Sequence, residues 1–123
     1  MRACYFNDEA YPLVQGDTWP PYAFTIGTAD GAGDFTEYPD VVVTARVRYR
    51  GAATTLAAIT CEEVDRRVGQ FRIATWPEEV MGGDPGAMEM ELEVDYLGDG
   101  VLVGTVIDLI KFDLLEGFAA VPV

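Results

Sequence analysis

The sequence predicts an all-β domain, an immunoglobulin-like antiparallel β-sandwich of about seven strands. Short runs of alternating apolar and polar residues recur along it, and turn-forming residues separate them at intervals of roughly ten positions. No stretch sustains a helical apolar period over the length of a helix. Residues 1–123 read as a single domain, with 1–13 as an N-terminal arm and 113–123 as an apolar C-terminal tail. That length suffices to bury a core without staples, and no linker, repeat or low-complexity tract divides it.

The elements follow in order. Residues 1–12 carry no sustained period and are expected as an arm or short edge strand that Pro12 ends. Residues 13–15 lead into a turn at Gly16-Asp17, and Trp19-Pro20-Pro21 is extended, because proline bars the helix interior and restricts its predecessor. Residues 22–26 form a short strand with Tyr22, Phe24 and Ile26 on one face, and a Gly, Ala and Asp loop follows over 27–34. Residues 41–49 are the clearest mid-chain strand: Val41, Val43, Ala45, Val47 and Tyr49 face inward, Thr44, Arg46 and Arg48 outward. After a turn at 50–52, residues 54–60 are a weaker strand around Leu56 and Ile59, and the charged cluster 61–67, CEEVDRR, suits a turn or a solvated edge. Alternation resumes over 68–74 through Phe71 and Ile73. Residues 75–79 can open one helical turn, with Thr75 as its cap and Pro77 near its start, closed by the glycine-rich 82–86.

The last unit is a hairpin over 87–112, turning at Gly98-Asp99-Gly100. Its first strand puts Met88, Met90, Leu92, Val94 and Tyr96 on one face and Glu89, Glu91, Glu93 and Asp95 on the other, so one face is core and the other wet. The return strand is apolar on both faces: Val101, Val103, Ile107 and Leu109 on one, Leu102, Val106, Ile110 and Phe112 on the other. Such a strand needs cover on both sides, from the domain itself or from a neighbour.

Composition narrows the chemistry. Half of the chain is apolar, with six Phe, six Tyr and two Trp, as a packed core requires, and the formal net charge is −13. Nucleic-acid affinity comes largely from cations on phosphates, so no nucleic-acid partner is expected. Arg46, Arg48 and Arg50 share a strand face, and cross-strand pairing with an acidic neighbour accounts for them. No apolar run reaches the length of a membrane helix, and no membrane partner is expected. The N-terminus lacks the charged, apolar and small-residue pattern of a signal peptide, so Cys4 and Cys61 are expected as reduced thiols; the sequence does not say whether they meet.

The chain contains neither histidine nor serine, which removes Ser-His and Cys-His catalysis and the commonest metal ligand. The glycine-rich 27–33, GTADGAG, lacks the Lys and Ser/Thr of a phosphate-cradling loop. The acids of 89–95 lie along one strand face about 6–7 Å apart, as a solvated row that discourages edge pairing. The acids of the loops, Asp30, Asp34, Asp40, Asp95 and Asp99, lack the dense spacing of a dedicated calcium loop. No catalytic residue, metal site or cofactor is therefore expected.

The runs VQGDTWPPYAFTI, GDFTEYPDVVVTARVRYRG, VGQFRIATWPEEV and AMEMELEVDYLGDGVLVGTVIDLIKF carry a family pattern over roughly 14–112. A Gly-Asp pair (Gln15-Gly16-Asp17) precedes an aromatic strand, and Asp34-Phe35-Thr36 precedes a long strand ending in the arginines of 46–50. Gly69-Gln70-Phe71 then leads through a loop to the hairpin of 91–104. In this arrangement the chain resembles the immunoglobulin-like domain of tailed-bacteriophage virion proteins, notably the N-terminal domain of baseplate upper proteins. The loop 75–86 is fuller and more acidic than that pattern. The resemblance implies a non-enzymatic virion component, a connector or decoration module of the tail, baseplate or capsid surface. Its partners would be other virion proteins or copies of itself, assembled in the host cytoplasm. The interface candidates are Trp19, Trp76, Val101, Val103, Ile107, Leu109, Leu114, Leu115 and Phe118, large apolar residues of the return strand, the tail and the aromatic loops. The rival expectation is a small carbohydrate-binding module that stacks sugars on Trp19, Tyr22, Trp76 or Tyr96.

Overall fold

A computed structural model describes residues 4–6, 12–16, 22–28, 31–32, 40–97, 102–105 and 109–117, with side chains at 12–16, 22–27, 41–95 and 109–117. The chain is all-β, built as two sheets. One holds β1 (Cys4–Phe6), β3 (Tyr22–Thr28), β8 (Gln70–Ile73) and β7 (Glu62–Asp65) in that order, with β4 (Gly31–Ala32) also on β3. The other runs β2 (Leu13–Val14), β11 (Ile110–Leu115), β9 (Gly86–Leu97), β5 (Asp40–Tyr49) and β6 (Ala57–Thr60), with β10 (Leu102–Thr105) also on β9.

The frame of the larger sheet is the β5–β9 pair, in unbroken antiparallel register from Asp40↔Leu97 to Tyr49↔Met88. Both strands alternate strictly, and their apolar sets fall on the same face. Val43, Ala45 and Val47 lie opposite Val94, Leu92 and Met90, all fully buried. A slip of one residue would turn every one of these side chains outward, so the register is strongly specified. From the other sheet, Tyr22, Phe24 and Ile26 of β3 and Phe71 and Ile73 of β8 complete a single apolar core. Those two strands pair antiparallel, Phe24 opposite Phe71.

The return strand departs from expectation. It is two strands on one edge of β9, and each has its own register: Leu102↔Tyr96 through Thr105↔Glu93, then Ile110↔Met90 through Leu114↔Gly86. Two residues of β9, Glu91 and Leu92, separate the two ladders where the returning chain has four, 106–109. Because the shift is even, the alternation of faces carries through it. In β11 the burial then simply alternates. Ile110, Phe112 and Leu114 are in the core, while Lys111, Asp113 and Leu115 are exposed. β11 is therefore not apolar on both faces, and its core side is covered by the chain itself; the side chains of 101–108 lie outside the described residues.

Both expected appendages contain paired strand. In the arm, β1 lies antiparallel to β3. Residue 13, the end of that arm, opens β2, which runs parallel to β11 with Leu13↔Leu114 and Val14↔Leu115. Residues 113–115 of the expected tail complete β11. The charged cluster 61–67 supplies β7, whose register to β8 breaks between Glu63 and Asp65 before the turn into Gly69, which sits at φ 68°. Residues 78–81 form the short helix α1 (Glu78–Met81). Thr75 does not cap it: Pro77 occupies the N-cap position in extended conformation, and its carbonyl accepts the N–H groups of Val80 and Met81. Val80 points fully into the core and closes one end of it.

Candidate functional site

The outer face of the larger sheet gathers the charged residues of three neighbouring strands. β5 brings Arg46 and Arg48, β9 brings Glu89, Glu91, Glu93 and Asp95, and β11 brings Lys111 and Asp113. The arginines are consumed by pairing across the strands. Arg46 binds the Glu93 carboxylate, and Arg48 Nε donates to Glu89 Oε1 at 2.6 Å. The neighbouring Arg50 donates to the Met88 carbonyl instead. On the smaller sheet Arg72 pairs with Glu62, Arg66 with Glu63 and Arg67 with Asp65. The described arginines thus leave no basic patch, which agrees with the expectation of cross-strand pairing.

Glu89 is where the acidic row departs from a wet face. It is only 4% exposed, the one buried charged residue among those described. Its carboxyl is held below the usual range by the Arg48 hydrogen bond first, with the Gly51 backbone N–H and the charge of Lys111 behind it; together these outweigh burial. Gly51 can present its N–H there because the turn after β5 needs a positive φ, 84°, which glycine adopts without strain. Glu89 lines a depression with Arg46, Arg48, Thr55, Glu91 and Leu109. The cavity is about 50 Å³, room for a water or two, whereas small-molecule sites run to about 300 Å³ and more. Within it Arg48 is paired with Glu89, and Arg46 turns to Glu93 beside it, so both arginines of the depression are spent on holding β5 to β9.

A second cluster joins the two sheets at their margin. The Tyr22 and Trp76 rings meet edge to face with centroids 5.6 Å apart, and Phe112 lies 5.8 Å from Trp76 and 6.4 Å from Tyr22. Tyr22 is 1% exposed and cannot stack on a sugar; Trp76 is half-buried against the other two rings. Two of the four rings offered as stacking platforms therefore serve the core. A third contact set ties Gln15 to β11 and to the loop after α1. Gln15 Nε2 donates to the Gly83 carbonyl, and the Gln15 backbone N–H donates to the Leu115 carbonyl at 2.9 Å. Nothing in the local pattern around Gln15 signals this role, because its partners lie 68 or more positions away.

The interface candidates separate accordingly. Leu109 and Leu115 are exposed on the outer face, at 43% and 44%. They stand six positions apart on one strand path, about 20 Å, with Lys111 and Asp113 between them, so they form no continuous apolar patch. Leu114 is 1% exposed, in the core facing Leu13, and its side chain is not available to a neighbour. Val103 lies in β10 opposite Asp95, with its side chain outside the described residues. Trp19, Val101, Ile107 and Phe118 also lie outside them, as do the loop acids Asp30, Asp34 and Asp99. The sequence reading missed two exposed apolar residues on the β7 side, Val64 at 47% and Val68 at 43%. Among the described residues no group of three or more acids and cysteines could hold a metal ion, and no helix is long and apolar enough to cross a membrane. Cys61 is a buried free thiol, and burial pushes its pKa up to about 12. No model of a known protein family matches the chain, and no curated protein matches it by sequence.

Proposed function

We propose that the chain is a non-enzymatic structural module of a tailed-phage virion, an immunoglobulin-like sandwich that connects or decorates other virion proteins. The observation that carries this reading is the strand order. β1, β3, β8 and β7 follow the A-B-E-D order of an immunoglobulin sheet, and β5, β9 and the β10–β11 edge follow C-F-G, with β6 in the C′ place beside β5. Of the motifs behind the phage resemblance, those within the described residues sit at strand ends and turns of that frame, which supports the reading. Gln15-Gly16 follows β2, the arginines of 46–50 end β5, Gly69-Gln70-Phe71 opens β8, and 91–104 spans the β9–β10 hairpin. The cross-strand pairs Arg46–Glu93 and Arg48–Glu89 support a structural role, and the depression beside them is water-sized.

The module would act by burial, lodged in the particle after assembly in the host cytoplasm. Exposed apolar side chains such as Leu109 and Leu115 would anchor against a neighbour, and the polar groups around them would set its register. The test is particle association. Purified virions from an infected culture, probed by mass spectrometry and by antibody labelling in the electron microscope, should contain the chain at fixed stoichiometry. Its absence from intact particles, with abundant free protein in the lysate, would end this reading.

A further inference from the structure

Between α1 and β9 the chain reads Gly82-Gly83-Asp84-Pro85-Gly86, and the ring of Tyr49, the last residue of β5, lies against this loop. The ring passes 3.8 Å from the place a Cβ would take at Gly86, and the hydroxyl stands 2.6 Å from the place one would take at Gly83. The missing Cβ at Gly83 is therefore what lets the hydroxyl in. Seated there, it donates to the Asp84 carbonyl oxygen at 2.9 Å. The backbone is held on both sides of this contact: the Gly83 carbonyl accepts from Gln15 Nε2, and the Ala87 carbonyl accepts the Arg50 N–H at 2.9 Å.

Asp84 and Pro85 themselves are exposed. Among the described residues no ion pair holds the Asp84 carboxylate. The elements packed on the loop offer it no cation: Arg50 donates to the Met88 carbonyl, and α1 contributes the acids Glu78 and Glu79. The carboxylate is thus free to turn onto its own backbone, and water reaches the bond that follows it.

We infer that the Asp84–Pro85 peptide bond is a self-cleavage site, with the Asp84 carboxylate as nucleophile and the Tyr49 hydroxyl as donor to the oxyanion. Nucleophile and carbonyl belong to one residue, so no distant group has to be brought in. A carboxylate oxygen bonds to the Asp84 carbonyl carbon and closes a cyclic anhydride. Negative charge develops meanwhile on the carbonyl oxygen that Tyr49 already contacts, and a hydrogen bond to a charged acceptor is about twice as strong as one to a neutral acceptor. The C–N bond to Pro85 breaks as the nitrogen takes a proton from solvent; a prolyl nitrogen, a tertiary amide without N–H, is more basic than that of other peptide bonds. Water then opens the anhydride, leaving a free α-carboxyl on Asp84 and a free amine on Pro85, the net hydrolysis of one peptide bond. The two pieces stay together, because β9 begins after the cut and keeps its ladder to β5 from Asp40↔Leu97 to Tyr49↔Met88.

The inference stands apart from the virion reading, and its test is intact-mass spectrometry of the full chain kept folded at about pH 5, above the range in which Glu89 is protonated. One cut is expected, giving pieces 1–84 and 85–123, at least about tenfold faster than in the same chain unfolded by guanidinium at that pH. Tyr49→Phe keeps the ring against Gly86 and removes only the hydroxyl, so its rate should fall to that of the unfolded chain while the circular dichroism stays native. Gly83→Ala, whose added Cβ would push the hydroxyl aside, replaces it if that variant misfolds. Asp84→Ala lacks the nucleophile and should stay whole. A folded chain that stays whole, or is cut no faster than the unfolded one, overturns the inference. So does a natively folded Tyr49→Phe or Gly83→Ala chain cut as fast as the parent, or an Asp84→Ala chain cut at this bond.

Discussion

Replacing Phe112 with alanine tests the assignment of faces on β11, the strand whose reading changed most. Phe112 is 4% exposed and contacts two rings, whereas Leu115, three residues on, is 44% exposed. Truncating a buried Phe to Ala costs about 3–5 kcal/mol through lost transfer energy and the cavity left behind. Truncating an exposed side chain stays within about 0.5 kcal/mol. With total stabilities of about 5–15 kcal/mol, Phe112→Ala should lower the melting temperature by about 10–20 °C, or unfold a marginal chain outright. Leu115→Ala should move it by less than about 2 °C. Urea denaturation followed by Trp fluorescence gives the free energies. A cycle of Phe112→Leu with Trp76→Leu should add a coupling of about 0.5–1.5 kcal/mol from the 5.8 Å ring pair. If Leu115→Ala cost as much as Phe112→Ala, the strand would have slipped by one residue, and the register with β9 would be wrong.

Three further outcomes follow from single contacts. The carboxyl of Glu89 is held down in the folded state, so its contribution to stability is present above its unfolded pKa of about 4.3 and lost as pH falls through the lower folded value; urea midpoints should drop below about pH 4.5, and Glu89→Gln should flatten that part of the profile. A Cβ added at Gly117 would stand 2.1 Å from the Gln15 carbonyl oxygen, which is backbone and cannot step aside, so Gly117→Ala should separate β2 from β11 and speed amide exchange at Gln15. Unchanged protection there would contradict the close approach. With its pKa near 12 and its side chain buried, Cys61 should resist Ellman's reagent at pH 8 in the native chain and react at once in urea; rapid native labelling at this residue would contradict its burial.

The strands whose apolar alternation is long and local were legible from the sequence alone. Residues 41–49 and 22–26 anticipated β5 and β3 to within a few positions, since the same period that identifies each strand also buries it. The expected strand 54–60 shrank to Ala57–Thr60, because the regular ladder with β5 is confined to those four residues. β7 was hidden in the cluster 61–67, where charge masks the alternation and the outcome depends on β8 lying alongside. β1 and β2 have too few residues for any period, and β2 exists only through a strand about a hundred positions away. The division of 101–112 was equally illegible, because an even shift in register leaves the apolar pattern looking continuous. The burial of Glu89 had no local sign either: its neighbours Glu91 and Glu93 share its chemistry and its face, and what sets it apart comes from elsewhere in the chain, the Arg48 hydrogen bond, the Gly51 turn and the charge of Lys111.

The parallel pairing of β2 with β11 has a mechanical consequence. Force applied to the chain just before Leu13 and just after Leu115 pulls the two strands past each other lengthwise. The Gln15–Leu115 backbone bond and the Gln15 side-chain contacts then resist as a group and must fail together, whereas an antiparallel terminal pair would peel open bond by bond. The sheet is thus braced against stretching between Leu13 and Leu115, two positions that are distant in sequence and adjacent in space.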